Sequence, residues 1–131
     1  MREPTNDQGT RPMQRHAWAA AQTHVKPAPR WVLFYLADRA QPSGLAFPKV
    51  STIAEGVGTA RQQITGHLTR LEAGKLIERV RLKQGGQQRG YLFRVLVPGS
   101  ASIDPDDLPK FVPDGFELPA SWREPVPGEV R

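Results

Sequence analysis

The feature that most constrains this 131-residue chain is a helical stripe that stops at a single glycine and gives way to two strands. Ile64, Leu68 and Leu71 recur at i, i+4 and i+7, which predicts a helix with one buried side, and Gly74 supplies its carboxy-terminal stop. Immediately afterwards "LIERVRL" (76–82) and "YLFRVLV" (91–97) are rich in branched and aromatic residues and predict two strands. The polar loop "KQGGQQRG" between them has glycines that permit a tight reversal.

Upstream of that stripe two more helices are expected. From Pro29, suited to a first helical turn, "PRWVLFYLADRA" places Val32, Leu33, Leu36 and Ala37 on one face and Trp31, Phe34 and Tyr35 on another. A helix apolar around so much of its circumference is covered on more than one side. After the turn "QPSG", Phe47 is expected on a very short strand or extended link closed by Pro48. A helix over about 49–57 then buries Val50, Ile53 and Ala54 and stops at Gly58. Helix, short strand, helix, turn, helix, strand, loop, strand is the order of an α+β winged helix-turn-helix: a three-helix core with a two-stranded β-wing.

Charge divides the chain in the same places. Residues 1–26 carry four basic and two acidic groups, residues 27–97 eleven and four, and residues 98–131 three and seven. The basic middle should attract a polyanion, and the acidic tail should not. Three parts are therefore expected: an arm with a short extra helix (1–26), the winged helix (27–97) and a Pro-rich acidic tail (98–131). Seven of the thirteen prolines lie in that tail, which predicts a largely disordered segment.

The stretch "GTARQQITGHLTRLE" (58–72) carries the functional signal. With Ile64, Leu68 and Leu71 inward, Arg61, Gln62, Thr65, Gly66 and Thr69 lie toward the opposite face, flanked by Gln63, His67 and Arg70. Arginine can bond guanine in a bidentate manner, glutamine can do the same to adenine, and threonine can meet a thymine methyl group or a phosphate. Gly66 omits a side chain at a helical cost of about 0.5–1 kcal/mol, which makes sense where something approaches closely. Lys83, Gln84, Gln87, Gln88 and Arg89 on the loop suit a minor groove or phosphates, and Arg79, Arg81 and Arg94 suit backbone contacts. The same residue types also suit an ordinary solvated helix face and a solvated hairpin.

The run from Trp31 to Val95 resembles the helix-turn-helix domain common in small plasmid and phage proteins. The resemblance rests on Phe47–Pro48, on Ile53–Ala54, on the turn glycine Gly58, and on Leu71, Glu72, Gly74, Leu76 and Ile77. One position departs: Ala60 stands where a serine or threonine usually caps the recognition helix, leaving Thr59 as the candidate cap. The resemblance implies sequence-specific binding of double-stranded DNA by a transcriptional regulator or by a plasmid or phage replication protein that marks an origin. Many such proteins read palindromic sites as homodimers, so a homodimer is expected. The class-distinct alternative is a winged helix used only as a protein-interaction module.

Outside that run, "RPMQRHAWAAAQTHV" predicts a helix with Met13, Ala17, Trp18 and Ala21 on one side, able to dock on the Trp31, Phe34 and Tyr35 face unless a second copy does so. In the tail, "GFELPASWREP" faintly resembles a stretch that follows winged-helix domains in some replication proteins. Its aromatics could dock a protein partner, or Phe111, Phe116 and Trp122 could pack back on the domain.

No catalytic residues, cofactor or metal are expected. His16, His24 and His67 have no nucleophile elbow or phosphate loop to serve, there is no cysteine, and "DPDD" (104–107) is expected to be a solvated charge run. No apolar run approaches the roughly 20 residues of a membrane span, so a cytoplasmic protein, nucleoid-associated when bound to DNA, is expected.

Overall fold

The computed structural model describes residues 9–84 and 87–128, without the side chains of residues 83, 84 and 87–89. Helix α1 is Pro12–Ala20, α2 Pro27–Arg39, α3 Val50–Val57 and α4 Arg61–Ala73. Strand β1 is Leu45–Ala46, β2 Ile77–Gln84 and β3 Gln87–Val95. The described residues form an α+β fold of four helices and a three-stranded antiparallel sheet in the order β1-β3-β2.

Each helix starts or stops for a local reason. Pro27 and Pro29 lie in the first turn of α2, where a missing amide hydrogen costs nothing, so the helix begins two residues earlier than expected. Gly58 ends α3 in the left-handed conformation (φ 73°), and its N–H bonds the Ala54 carbonyl at 2.9 Å. Helix α4 begins after Ala60, which has no side chain to cap it. Thr59 does not take over the cap: its hydroxyl donates to Gln63 Oε1.

The strand pattern separates two cores. Along β3, Tyr91, Phe93 and Val95 face the helices, while Leu92 and Arg94 alternate to the other side. The helix-side core joins Val32, Leu33 and Leu36 of α2, Ile53 of α3, and Ile64, Leu68 and Leu71 of α4. The Val32, Leu33, Leu36 and Ala37 face of α2 and the stripe of α4 are thus buried, whereas the second face expected to be covered is only partly so: Phe34 and Tyr35 are half-buried and Trp31 is exposed. The very short strand is β1, and Phe47 lies on the link just past it, before Pro48.

The opposite face of the sheet holds a second core, which overturns the expectation of a largely disordered tail. Ile103, Leu118 and Trp122 close over Leu45, Leu82 and Leu92, and Trp122 is only 1% exposed. Proline stops this segment from forming ladders, but it does not stop apolar side chains from packing: Trp122 lies on a short 3₁₀ turn (Ala120–Arg123), and Ile103 and Leu118 reach the core from irregular backbone. Arg94, expected at a DNA backbone, is instead 2% exposed and anchors the tail. Its guanidinium donates to the carbonyls of Ser43, Ala101, Ser121 and Glu124 at 2.8–3.2 Å.

Helix α1 also turns a different face inward. Of the expected face only Trp18 packs on the core, half-buried; Met13, Ala17 and Ala21 are exposed, while Arg15 and Ala19 are buried. Arg15 donates from Nε to the Ala37 carbonyl at 3.1 Å and from Nη1 to the Thr10 carbonyl at 2.7 Å. It therefore satisfies a carbonyl at the carboxy-terminal end of α2, where a cation also suits the helix dipole. The expected docking onto α2 occurs through His16, which stacks on Phe34 with ring centroids 5.0 Å apart.

Candidate nucleic-acid interface

Burial of Ile64, Leu68 and Leu71 leaves Arg61, Gln62, Gln63, Thr65, Gly66, Thr69 and Arg70 on the exposed side of α4, with His67 half-buried at its edge. Arg61, Gln62 and Thr65 share one open groove of about 700 Å³ with Lys49 and Ser51 at the start of α3 and Tyr91 of β3. The turn at Gly58 brings the start of α3 beside the start of α4, and the sheet supplies the far wall. Among the described residues, the side chains of Arg61 and Gln62 have no hydrogen-bonding or ionic partner.

Other candidates are already engaged. The Thr69 hydroxyl donates to the Thr65 carbonyl at 3.0 Å and accepts from Arg79 Nη2 at 3.1 Å. Arg79 also donates from Nε to Glu72 Oε1 at 3.0 Å and lies over the Tyr91 ring. With only 12% of its side chain exposed, Arg79 braces α4 against β2 rather than offering a backbone contact. Its Nη1 is buried without a partner among the described residues, so the brace is incompletely satisfied. Arg81, exposed and 5.6 Å from the Tyr91 ring centroid, keeps the expected availability. Gln63 accepts from Thr59, and Arg70 Nη1 lies 3.4 Å from His67 Nδ1. Burial first, and then the charge of Arg70, lowers the His67 pKa and favours the neutral imidazole.

A side chain at Gly66 would meet nothing within 4 Å, so no neighbour within the chain requires glycine there. Lys83, Gln84, Gln87, Gln88 and Arg89 carry side chains outside the described residues. Lys49, Ser51 and Tyr91 are groove residues that sequence reasoning missed. Lys49 looked only like a helix start and Tyr91 only like a strand residue, and the one available signal was a basic residue directly after Pro48.

Among the described residues no three His, Cys, Asp or Glu side chains come together as a metal site. Asp104 of the acidic run has a local role, its Oδ1 accepting the Asp106 N–H at 2.9 Å. No helix of the described residues is long and apolar enough to cross a membrane. Comparison with protein-family models, with curated proteins and with solved structures finds no match.

Proposed function

We propose that this chain is a winged helix-turn-helix protein that binds double-stranded DNA, with α4 in the major groove and the β2–β3 hairpin against the flanking backbone. The observation that carries the reading is the pair Arg61 and Gln62, exposed side by side in an open groove and without a partner among the described residues. Both side chains can bond base edges in a bidentate manner, and Lys49 in the same groove and Arg81 beside the Tyr91 ring suit phosphates. The groove is broad and open, which suits a duplex better than an enclosed small substrate, and the chain is read as a binding protein rather than an enzyme.

Occupancy of an operator or marking of a replication origin both follow from such binding. We further propose a homodimer, supported by two strongly exposed apolar side chains on neighbouring helices, Trp31 (63%) and Met13 (82%). Deleting residues 98–131 would not separate a regulator from an origin-marking replication protein, because it would also remove part of the second core.

The deciding experiment is fluorescence anisotropy on duplexes tiled across the DNA flanking the gene, against a scrambled duplex, at several salt concentrations. Tight, salt-dependent binding to one tile is expected, with Arg61→Ala and Gln62→Ala each costing about 1–3 kcal/mol on that tile. Equal, weak binding to every duplex would remove the reading in favour of a protein-interaction module.

A further inference from the structure

The tail that was expected to shun a polyanion sends one short segment toward the candidate interface. Val112, Phe116 and Leu118 pack on the second core, but Phe111 beside them stays 42% exposed. Its ring sits edge-on to Phe47 with centroids 6.1 Å apart, and it approaches Gly90 of β3, opposite Leu82. Lys110, also exposed, shares with Phe111 a groove of about 640 Å³ whose other wall includes Phe47, Lys49, Gly90 and Tyr91.

Lys49, Gly90 and Tyr91 also line the groove that holds Arg61 and Gln62. The two grooves therefore adjoin through shared walls, one bounded by α4 and the other by the tail. Lys49 and Lys110 outweigh the single carboxylate of Asp114 in the second groove, so its charge favours an anion despite the acidic balance of the tail as a whole. An exposed ring beside an exposed lysine suits a nucleic-acid backbone, which presents apolar sugar edges and phosphates together.

We propose that the tail carries part of the nucleic-acid interface, with Lys110 holding a phosphate and Phe111 packing on the adjoining sugars of the DNA that flanks the α4 site. This rests on the reading of α4 as a DNA-binding helix and extends it. The tail then has two roles, covering the sheet with Trp122 and Leu118 and lengthening the interface with Lys110 and Phe111.

The test starts from a pool of duplexes with a randomised centre and constant flanks, enriched on the full-length protein. On the enriched duplex, Lys110→Ala should make the dependence of log Kd on log salt shallower by about 0.9, the loss of one phosphate contact. Phe111→Ala should weaken binding about fivefold, the size of a modest interface contact. Hydroxyl-radical footprints of both variants should lose protection at one edge of the site while keeping its centre. Arg61→Ala serves as the control. If it weakens binding while both tail variants match wild type in slope, affinity and footprint, the tail proposal alone is overturned. If wild-type protein enriches no duplex, the DNA-binding reading falls and takes this proposal with it. Thermal melts of each variant separate a lost contact from a lost fold, and Lys110→Ala, a change at an exposed charge, gives a readout independent of packing around Phe111.

Discussion

The indole Nε1 of Trp122 donates a 2.8 Å hydrogen bond to Oε1 of Glu78, joining the tail to the first strand of the hairpin across 44 residues of chain. Trp122 is the largest fully buried side chain, so its removal combines a lost apolar surface, a cavity and a carboxylate deprived of its donor. Trp122→Ala should destabilise the protein by about 3–5 kcal/mol. Trp122→Phe keeps most of the packing and should cost about 1.5–3 kcal/mol through the hydrogen bond to the charged group. Urea denaturation monitored by circular dichroism checks both, and a negligible loss for Trp122→Phe would show that packing alone matters.

Arg94 makes a second tie of the same kind, with all its acceptors on the backbone. Burial lowers its pKa, with Glu78 opposing that shift, and the four carbonyls reward the charged form. Arg94→Met should leave those acceptors without donors and cost about 2–4 kcal/mol. The loss should appear first as faster hydrogen exchange and proteolysis between residues 98 and 128. Unchanged protection of that segment would mean that the apolar packing holds it unaided.

Gly66 separates stability from binding. Open space around it means that Gly66→Ala should stabilise α4 by about 0.5–1 kcal/mol. If α4 lies in a DNA groove at this point, the added methyl group should at the same time weaken binding. A raised melting temperature together with a reduced affinity for the enriched duplex is the expected pair of results, and equal or tighter binding would remove close approach as the reason for glycine.

His67 gives the pH dependence. Its pKa is lowered in the folded chain, first by burial and then by Arg70, and unfolding relieves both effects. The unfolded chain therefore binds the proton more readily. The stability contribution of the neutral ring is complete above the ordinary histidine value and is lost as pH falls through the interval down to the depressed one. DNA phosphates act in the other direction, so binding should take up a proton and tighten as pH falls through that interval. His67→Gln should flatten both trends in urea titrations and anisotropy measured over a pH series.

Trp31 provides the check on assembly. Sedimentation equilibrium of wild-type protein should give twice the 14.5 kDa chain mass, and Trp31→Asp should return the value to a single chain. A wild-type monomer would leave the α1–α2 surface without the proposed copy.

The elements of the middle segment were legible from sequence because each depends on residues close together in the chain. Ile64, Leu68 and Leu71 mark their helix through a spacing of a few residues, Gly58 and Gly74 punctuate it, and branched residues mark the strands. The exposed face with Arg61, Gln62 and Thr65 followed directly, since one buried stripe determines its opposite. Arginines were another matter. Arg15, Arg79, Arg81 and Arg94 look alike in sequence, yet three are tied up within the fold and Arg81 stays exposed, because a long cationic side chain takes its role from whatever acceptors distant segments bring to it. One acceptor of Arg94 lies 51 residues away, at Ser43. The tail shows the same limit: its prolines correctly excluded long helices and ladders, but whether its apolar side chains packed depended on an apolar sheet face built by Leu45, Leu82 and Leu92, and only tertiary structure put the two together.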